Sequence, residues 1–268
     1  MNKDLRANYE WWNEAAVLHA ESDFYDVNGF LQGKSTLMAV EQQKLGDVRG
    51  KKLLHLQCHF GMDTLSLARL GAEVTGVDFS DEAIRLAKSL NDKLGMSAEF
   101  VCSNVYDLKQ NLSGQYDIVY TSYGALCWLN DLAGWAEIID YFLKPGGMFL
   151  VVEGHPLAGA FDVEDEQICI ADTYFYDQIP YTDSSDGTYA VPNANKKHQT
   201  TNEWSHSISE IMNVLWSAGL QITSFEEYPY SFYEKFVGMM EKTEDGWWVF
   251  KNKKWKLPLM FSLTASKQ

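Results

Sequence analysis

Leu53-Leu54-His55-Leu56-Gln57-Cys58-His59-Phe60-Gly61-Met62-Asp63, followed one helix later by Glu73-Val74-Thr75-Gly76-Val77-Asp78, decides the fold. Residues 53 to 56 are apolar apart from His55, the run expected of a parallel strand covered on both faces, where alternation is lost. A tight turn leads into a helix opening at Gly61. Its Met62, Leu65, Ala68 and Leu70 keep roughly helical spacing, and Gly71 stops it. Backbone N–H groups left unpaired at the turn and helix start are expected to face a polar ligand. Asp78 ends the next strand, where its two oxygens can accept both hydrogen bonds of a ribose 2′,3′-diol. The stretch reads as a nucleotide-binding half-fold.

Downstream, strands and helices alternate, the signature of an α/β sheet. Ser80 caps a helix with Asp81 and Glu82 in its first turn and Ala83, Ile84, Ala87 and Leu90 on its buried face. Glu99 to Cys102 is a third strand, ending at Ser103-Asn104-Val105. Tyr116 to Tyr120 is a fourth, leaving through Thr121-Ser122-Tyr123-Gly124. Asn130 and Asp131 cap a helix striped by Leu132, Trp135, Ile138, Ile139 and Phe142, and Lys144-Pro145-Gly146-Gly147 turns it into strand five, Met148 to Val152.

Between Glu153 and Trp204 the rhythm stops for about 50 residues, longer than ordinary connections. Ile168-Cys169-Ile170, Thr173 to Tyr176 and His198 to Trp204 read as short strands, and so many aromatic and apolar residues argue against disorder. The segment reads as an inserted cap. A capping box at Ser207 and Glu210 opens a helix through Ala218; Leu220 to Phe225 is strand six, Tyr228 to Lys256 a second excursion, and Pro258 to Ala265 a terminal strand. At the other end, Tyr9 to Leu18 forms a helix carrying Trp11 and Trp12, followed by the loop Phe24-Tyr25-Asp26 and a helix from Ser35 to Leu45.

These residues resemble motif I and the acidic motif that follows it in class I S-adenosylmethionine-dependent methyltransferases, usually written D/E-x-G-x-G-x-G for motif I. His55 stands where the acid would be, Gln57 and His59 replace two glycines, and Gly61 remains. The H-L-Q-C-H-F-G spelling is similar to a bacterial subgroup of that family. Asp78, Tyr116-Asp117 and Pro145-Gly146-Gly147, in order and at fitting intervals, add to the resemblance, which covers residues 50 to 155 well and the rest loosely. It implies a Rossmann-like seven-stranded sheet, mostly parallel with the last strand antiparallel, and helices on both faces. Residues 1–50 would be a helical lid segment, 51–154 and 205–268 the core, and 155–204 the cap, all within a single domain. Gly33-Lys34-Ser35 is not a P-loop, because position 28 is Asn and no apolar strand precedes it.

Composition narrows the partners. A net charge of −15 disfavours gripping a phosphate backbone, so no nucleic acid is expected. No run approaches the roughly 20 apolar residues of a membrane helix, and Asn2-Lys3-Asp4-Leu5 is not a signal peptide. Cysteines 58, 102, 127 and 169 lack C-x-x-C spacing, which fits reduced thiols in the cytoplasm. His55, Cys58 and His59 would diverge on a strand running into a turn, so no metal is expected. A monomer or homodimer is expected.

The resemblance implies S-adenosylmethionine as cofactor, held by Gln57, Cys58, His59, Gly61, Asp63, Asp78, Phe79, Ser80, Asn104, Val105 and Thr121. Asn104 stands near the acid that binds the adenine amino group in the family. Ligands of such sheets sit beyond the carboxyl ends of the strands, which makes Tyr123, Glu153 and His155 the catalytic candidates. Imidazole titrates near neutrality, so His155 is the first choice as general base, with Glu153 beside it to orient it and His206 as runner-up. Trp12, Tyr25, Trp128 and His206 are candidate substrate contacts; the aromatic three serve equally well as packing at the core edge. Two readings stand: methyl transfer to a small-molecule acceptor by in-line displacement, and a non-catalytic module binding S-adenosylmethionine or a nucleotide. A nicotinamide oxidoreductase normally keeps G-x-G-x-x-G, which is missing.

Overall fold

A computed structural model describes residues 2–176 and 179–268. The chain opens with helix α1 (Lys3–Ala20), capped by Asn2, whose side chain accepts from Leu5 N. Helices α2 (Val27–Leu31) and α3 (Ala39–Leu45) follow, then strand β1 (Lys52–Leu56), α4 (Met62–Arg69), β2 (Glu73–Asp78), α5 (Asp81–Lys93), β3 (Glu99–Cys102), α6 (Leu108–Asn111), β4 (Tyr116–Thr121), α7 (Leu132–Phe142) and β5 (Leu143–Gly154). The excursion after β5 holds α8 (Pro156–Gly159), the hairpin of β6 (Phe161–Glu164) and β7 (Gln167–Ile170), and a pair formed by β8 (Tyr181–Asp183) and β9 (Thr201–Glu203). Helix α9 (Ile208–Ser217), β10 (Leu220–Tyr228), a small hairpin of β11 (Met240–Lys242) and β12 (Trp248–Phe250), and β13 (Met260–Lys267) complete the chain.

Seven strands form one sheet in the order β10-β13-β5-β4-β1-β2-β3. β1 to β5 run parallel, and β13 is antiparallel to both neighbours. Strand order reverses between β1 and β4, and that reversal places the ligand crevice at their carboxyl ends. Both faces are covered. Leu54, Leu56, Val119 and Val151 pack against α7 and α9, and Leu53, Ile118, Tyr120, Leu150 and Val152 fill the opposite face with Leu37, Val40 and Trp247. β1 is buried from Leu53 to Leu56, so the lost alternation has its physical reason.

Local boundaries differ from the sequence expectation where propensity is silent. α1 extends a turn and a half further toward the N-terminus than the aromatic stripe suggests, because the Asn2 cap satisfies its first turn. Residues 35–38 carry no regular structure and helix begins only at Ala39; Thr173 to Tyr176 holds bends instead of a strand. β5 starts at Leu143, and residues 144–147 bulge out between the Tyr116↔Leu143 and Ile118↔Met148 pairs, with Gly146 at φ +75°. The Lys-Pro-Gly-Gly turn is therefore a bulge inside the strand.

Candidate active site

The turn from β1 into α4 keeps left-handed backbone at three positions: Gln57 (φ +51°), His59 (φ +52°) and Gly61 (φ +77°). Positive φ is uncommon for residues with a Cβ, so the two glycines have been replaced while the loop shape that they serve is retained. Gly61 has no such freedom, since a Cβ there would meet the Phe100 ring at 2.5 Å. One expectation is corrected. The N–H groups of residues 58 to 61 donate internally, Cys58 to Val77 O, His59 to Asp78 Oδ2, Phe60 to His59 Nδ1 and Gly61 to Cys58 O. Open donors remain in the first turn of α4, where Gly61 offers no side-chain cap.

Asp78 faces this turn. Its Oδ2 accepts from His59 N at 2.8 Å and its Oδ1 from Ser80 N at 2.9 Å, which leaves lone pairs on both oxygens. Burial pushes the carboxyl up to about 6, against those backbone donors. Asp78 lines a cleft with Gln57, Phe79, Asn104 and Val105 on the sheet side and Leu5 and Trp128 opposite. Asn104 spends its Oδ1 on Tyr106 N, so its amide nitrogen is the group available to a ligand. The buried Gln57 Oε1 has no partner among the described residues, while the Nε2 donates to Ala125 O. The cleft leaves about 50 Å³ of free space, far below the roughly 300 Å³ at which ligand pockets begin.

The opposite wall belongs to α1. Asn13 Oδ1 accepts from Ser80 Oγ (2.7 Å) and Glu82 N (3.1 Å), seating α1 on the start of α5. Asn8 and Asn202 exchange two 2.7 Å bonds, and Glu14 accepts from the N–H groups of Lys197 and His198. Between α1 and the turn lies an aromatic cluster. Trp12 meets His59 edge-on at 5.2 Å and Trp128 at 5.1 Å; Trp11 stacks on Trp128 at 6.0 Å; Tyr25 packs on His59, Phe60 and His19. Trp12, Tyr25 and Trp128 are thus brought together with His59, beside the cleft.

Other candidates lie elsewhere. Cys58 is buried against Gly76, Asp63 accepts from Thr36 Oγ1 away from the cleft, Ser80 caps α5, and Thr121 is fully buried with an unpartnered Oγ1 at the end of β4. Glu153 accepts four backbone N–H groups, from Gly124, Ala125, Leu126 and Gly154, and so anchors the loop after β4. His155 does not sit over the cleft with Glu153. Its Nδ1 accepts from Leu157 N as the cap of α8, and its Nε2 lies 2.9 Å from Glu227. His206 Nε2 bonds Leu129 O at 2.7 Å, holding the loop that carries Leu129. Tyr123 donates to buried Glu41, whose own carboxyl is pushed up to about 7 by burial and the neighbouring Asp63.

Sequence reasoning missed Leu5, Tyr106 and Leu129 in the cleft, and His19, Lys196 and Tyr189 in the aromatic cluster. Leu129, next to Trp128, and Tyr106, next to Val105, had nearby signals. The buried His55 bonds Thr64 Oγ1 and Ser122 Oγ, and burial holds it down to about 3, so it is a neutral tie between β1, α4 and the exit of β4.

Residues 53–147 match the methyltransferase domain family. That span covers the turn, Asp78, Asn104 and the loop after β4. A ubiquinone biosynthesis O-methyltransferase of Bordetella pertussis is 30% identical over 106 residues, 40% of this chain and 44% of that protein. The enzyme of the same name from Escherichia coli O7:K1 is 33% identical over 105 residues, 39% of this chain and 43% of that protein. The matched part thus spans less than half the length of these curated relatives. Among solved structures, an S-adenosylmethionine-dependent methyltransferase from Mesorhizobium loti superposes with a TM-score of 0.59 at 19% identity, covering 88% of this chain and all of that one. Magnesium protoporphyrin IX methyltransferase from Synechocystis PCC 6803 gives 0.54 at 13%, covering 99% and 100%. The fold is that of the S-adenosylmethionine-dependent methyltransferases.

Proposed function

We propose that this chain transfers a methyl group from S-adenosylmethionine to a small-molecule acceptor. The observation that carries the reading is Asp78 at the end of β2, facing a cleft whose turn keeps left-handed backbone at Gln57 and His59 without their glycines. The cofactor fits the residues present. Asp78 offers lone pairs to a ribose diol, Phe79 and Val105 offer apolar walls to a purine, Asn104 an amide to its edge, and the orphaned Gln57 Oε1 an acceptor. When bound, the cofactor supplies a methyl on a sulfonium, a good leaving group.

The work of the protein is then positioning in a dry pocket, and the aromatic cluster of Trp11, Trp12, Trp128 and Tyr25 excludes water beside the cleft. The 50 Å³ of free space requires the wall of Leu5 and Trp128 to move before a nucleoside enters. An acceptor that arrives already ionised needs no base, which suits the capping and anchoring positions of His155 and Glu153. Tyr123, bonded to Glu41, is the remaining candidate for proton handling. The charge of −15 supports a small acceptor over a nucleic acid.

The internally bonded N–H groups of the turn favour the second reading, a binding module without turnover. Calorimetry with S-adenosylmethionine, S-adenosylhomocysteine and NAD tests the first step of both. Binding of the two sulfur nucleosides is expected, and stabilisation by NAD alone overturns the proposal. Methyl release onto an acceptor separates enzyme from module.

A further inference from the structure

Two nitrogens buried in the aromatic cluster have no hydrogen-bond partner among the described residues: Nζ of Lys196 and Nε2 of His19. Lys196 is 3% exposed and His19 is fully enclosed. The backbone fixes the protons of the histidine pair. Phe60 N donates to His59 Nδ1 at 2.8 Å, so a neutral His59 carries its proton on Nε2. That proton goes to His19 Nδ1, 3.0 Å away, and the proton of a neutral His19 therefore sits on Nε2. Burial and the neighbouring Lys196 ammonium hold His19 down to about 4, which keeps it neutral at pH 7.

Both donors border one indole. Lys196 Nζ lies 4.1 Å from the centre of the Trp11 ring, and the His19 ring centre is 6.4 Å from it. The ring face attracts the ammonium but replaces few of the hydrogen bonds that it gave up on leaving water. The charges of Glu14, Asp183 and Asp186 favour the ammonium, but Glu14 has both oxygens occupied by the N–H groups of Lys197 and His198, and Asp183 and Asp186 accept from Ser185 and Gln199. A buried ammonium and a buried imidazole N–H that border the same indole, neither with an acceptor among the described residues, are what a partner bearing negative charge would complete. Four aromatic rings, those of Trp11, Trp12, Tyr25 and Tyr189, lie against His19, and such surroundings favour an aromatic body on that partner.

We infer that Lys196 and His19, with Trp11 beneath, bind the carboxylate of an aromatic methyl acceptor. The inference rests on the methyltransferase reading and gives it a substrate class. The carboxylate belongs to the acceptor and not to the cofactor, for two reasons. Trp128 lines the cleft beside Asp78 and Trp11 stacks on Trp128, so the ammonium is a second indole removed from the nucleoside site. Lys196 also belongs to the excursion after β5, outside the matched span of 53–147.

The test compares 3,4-dihydroxybenzoate with 3,4-dihydroxybenzamide by calorimetry on protein saturated with S-adenosylhomocysteine, in wild type and in Lys196→Met and Lys196→Arg. Wild type is expected to prefer the acid by at least about tenfold, the size of a buried charge-assisted hydrogen bond. Lys196→Met should lose that preference, Lys196→Arg should keep most of it, and affinity for S-adenosylhomocysteine should stay within about twofold. Equal binding of acid and amide by wild type, or binding of neither, overturns the inference. So does a tenfold loss of S-adenosylhomocysteine affinity in Lys196→Met, which would give the ammonium to the cofactor. Thermal melting without acceptor separates a site from a strut: Lys196→Met should melt at the same temperature or higher, and a lower melting point makes the lysine structural and overturns the inference. Failure of wild type to bind S-adenosylhomocysteine in the first titration sinks the methyltransferase reading instead.

Discussion

The ribose role of Asp78 predicts a pH dependence of cofactor affinity. In the free protein burial raises this carboxyl to about 6. A diol donating to both oxygens favours the ionised form, so ligand binding must pull the carboxyl back down. Roughly nine in ten Asp78 side chains are protonated at pH 5 in the free protein and nearly all are ionised at pH 7.5, so affinity for S-adenosylhomocysteine should fall about tenfold between these values. Binding near pH 6 should release a proton, seen as a dependence of the calorimetric heat on the ionisation enthalpy of the buffer. His19, held to about 4, and His59, held well below its ordinary value, stay neutral through this window. Glu41, pushed to about 7, titrates within it but is bonded to Tyr123, and Asp63 is raised with its bond to Thr36. Asp78→Asn is the control: it should remove the pH slope and weaken binding at pH 7.5 by about 1 to 3 kcal/mol, the worth of hydrogen bonds to a charged group. The same shift lowers the stability of the free protein as pH rises from about 4 to 6, by at most about 3 kcal/mol because the carboxylate edge still meets the cleft. A flat affinity profile in wild type, or the same slope in Asp78→Asn, would refute the role.

Other perturbations read the scaffold. Gly61→Ala places a methyl 2.5 Å from the Phe100 ring at φ +77°, and urea unfolding should show a loss of about 2 to 4 kcal/mol. Glu153→Gln turns an acceptor of four N–H groups into one that opposes some of them; a loss of about 2 to 4 kcal/mol and faster amide exchange at residues 124–126 are expected, and unchanged exchange would contradict the anchoring role. His155→Ala removes a helix cap and should cost about 1 kcal/mol in unfolding, with affinity for S-adenosylhomocysteine unaltered in calorimetry.

The order of strands and helices from β1 to β5 was legible because a parallel core writes its burial directly into apolar runs, and Asp78 was singled out by its place at a strand end, while Gln57, Phe79, Asn104 and Val105, which line the same cleft, came from the family resemblance. What stayed hidden depends on partners distant in sequence. His155 reads as a free imidazole until Glu227 and the Leu157 N–H are brought to it. Glu153 reads as an orienting acid until the loop at 124–126 folds over both its oxygens. Nothing local in Asn195-Lys196-Lys197 announces that the first lysine is enclosed and the second is not. The five-residue α2, begun by Asp26 in the left-handed region, is too short for periodicity to reveal.

The three attachments along α1 tie one helix to the start of α5 beside the cleft through Asn13, to β9 through Asn8, and to the segment just before β9 through Glu14. Because Leu5 sits on this same helix, the wall opposite Asp78 cannot shift by itself: displacing it strains the bonds at Asn8, Asn13 and Glu14 together, so the N-terminal helix holds the cleft shut from three points along its length.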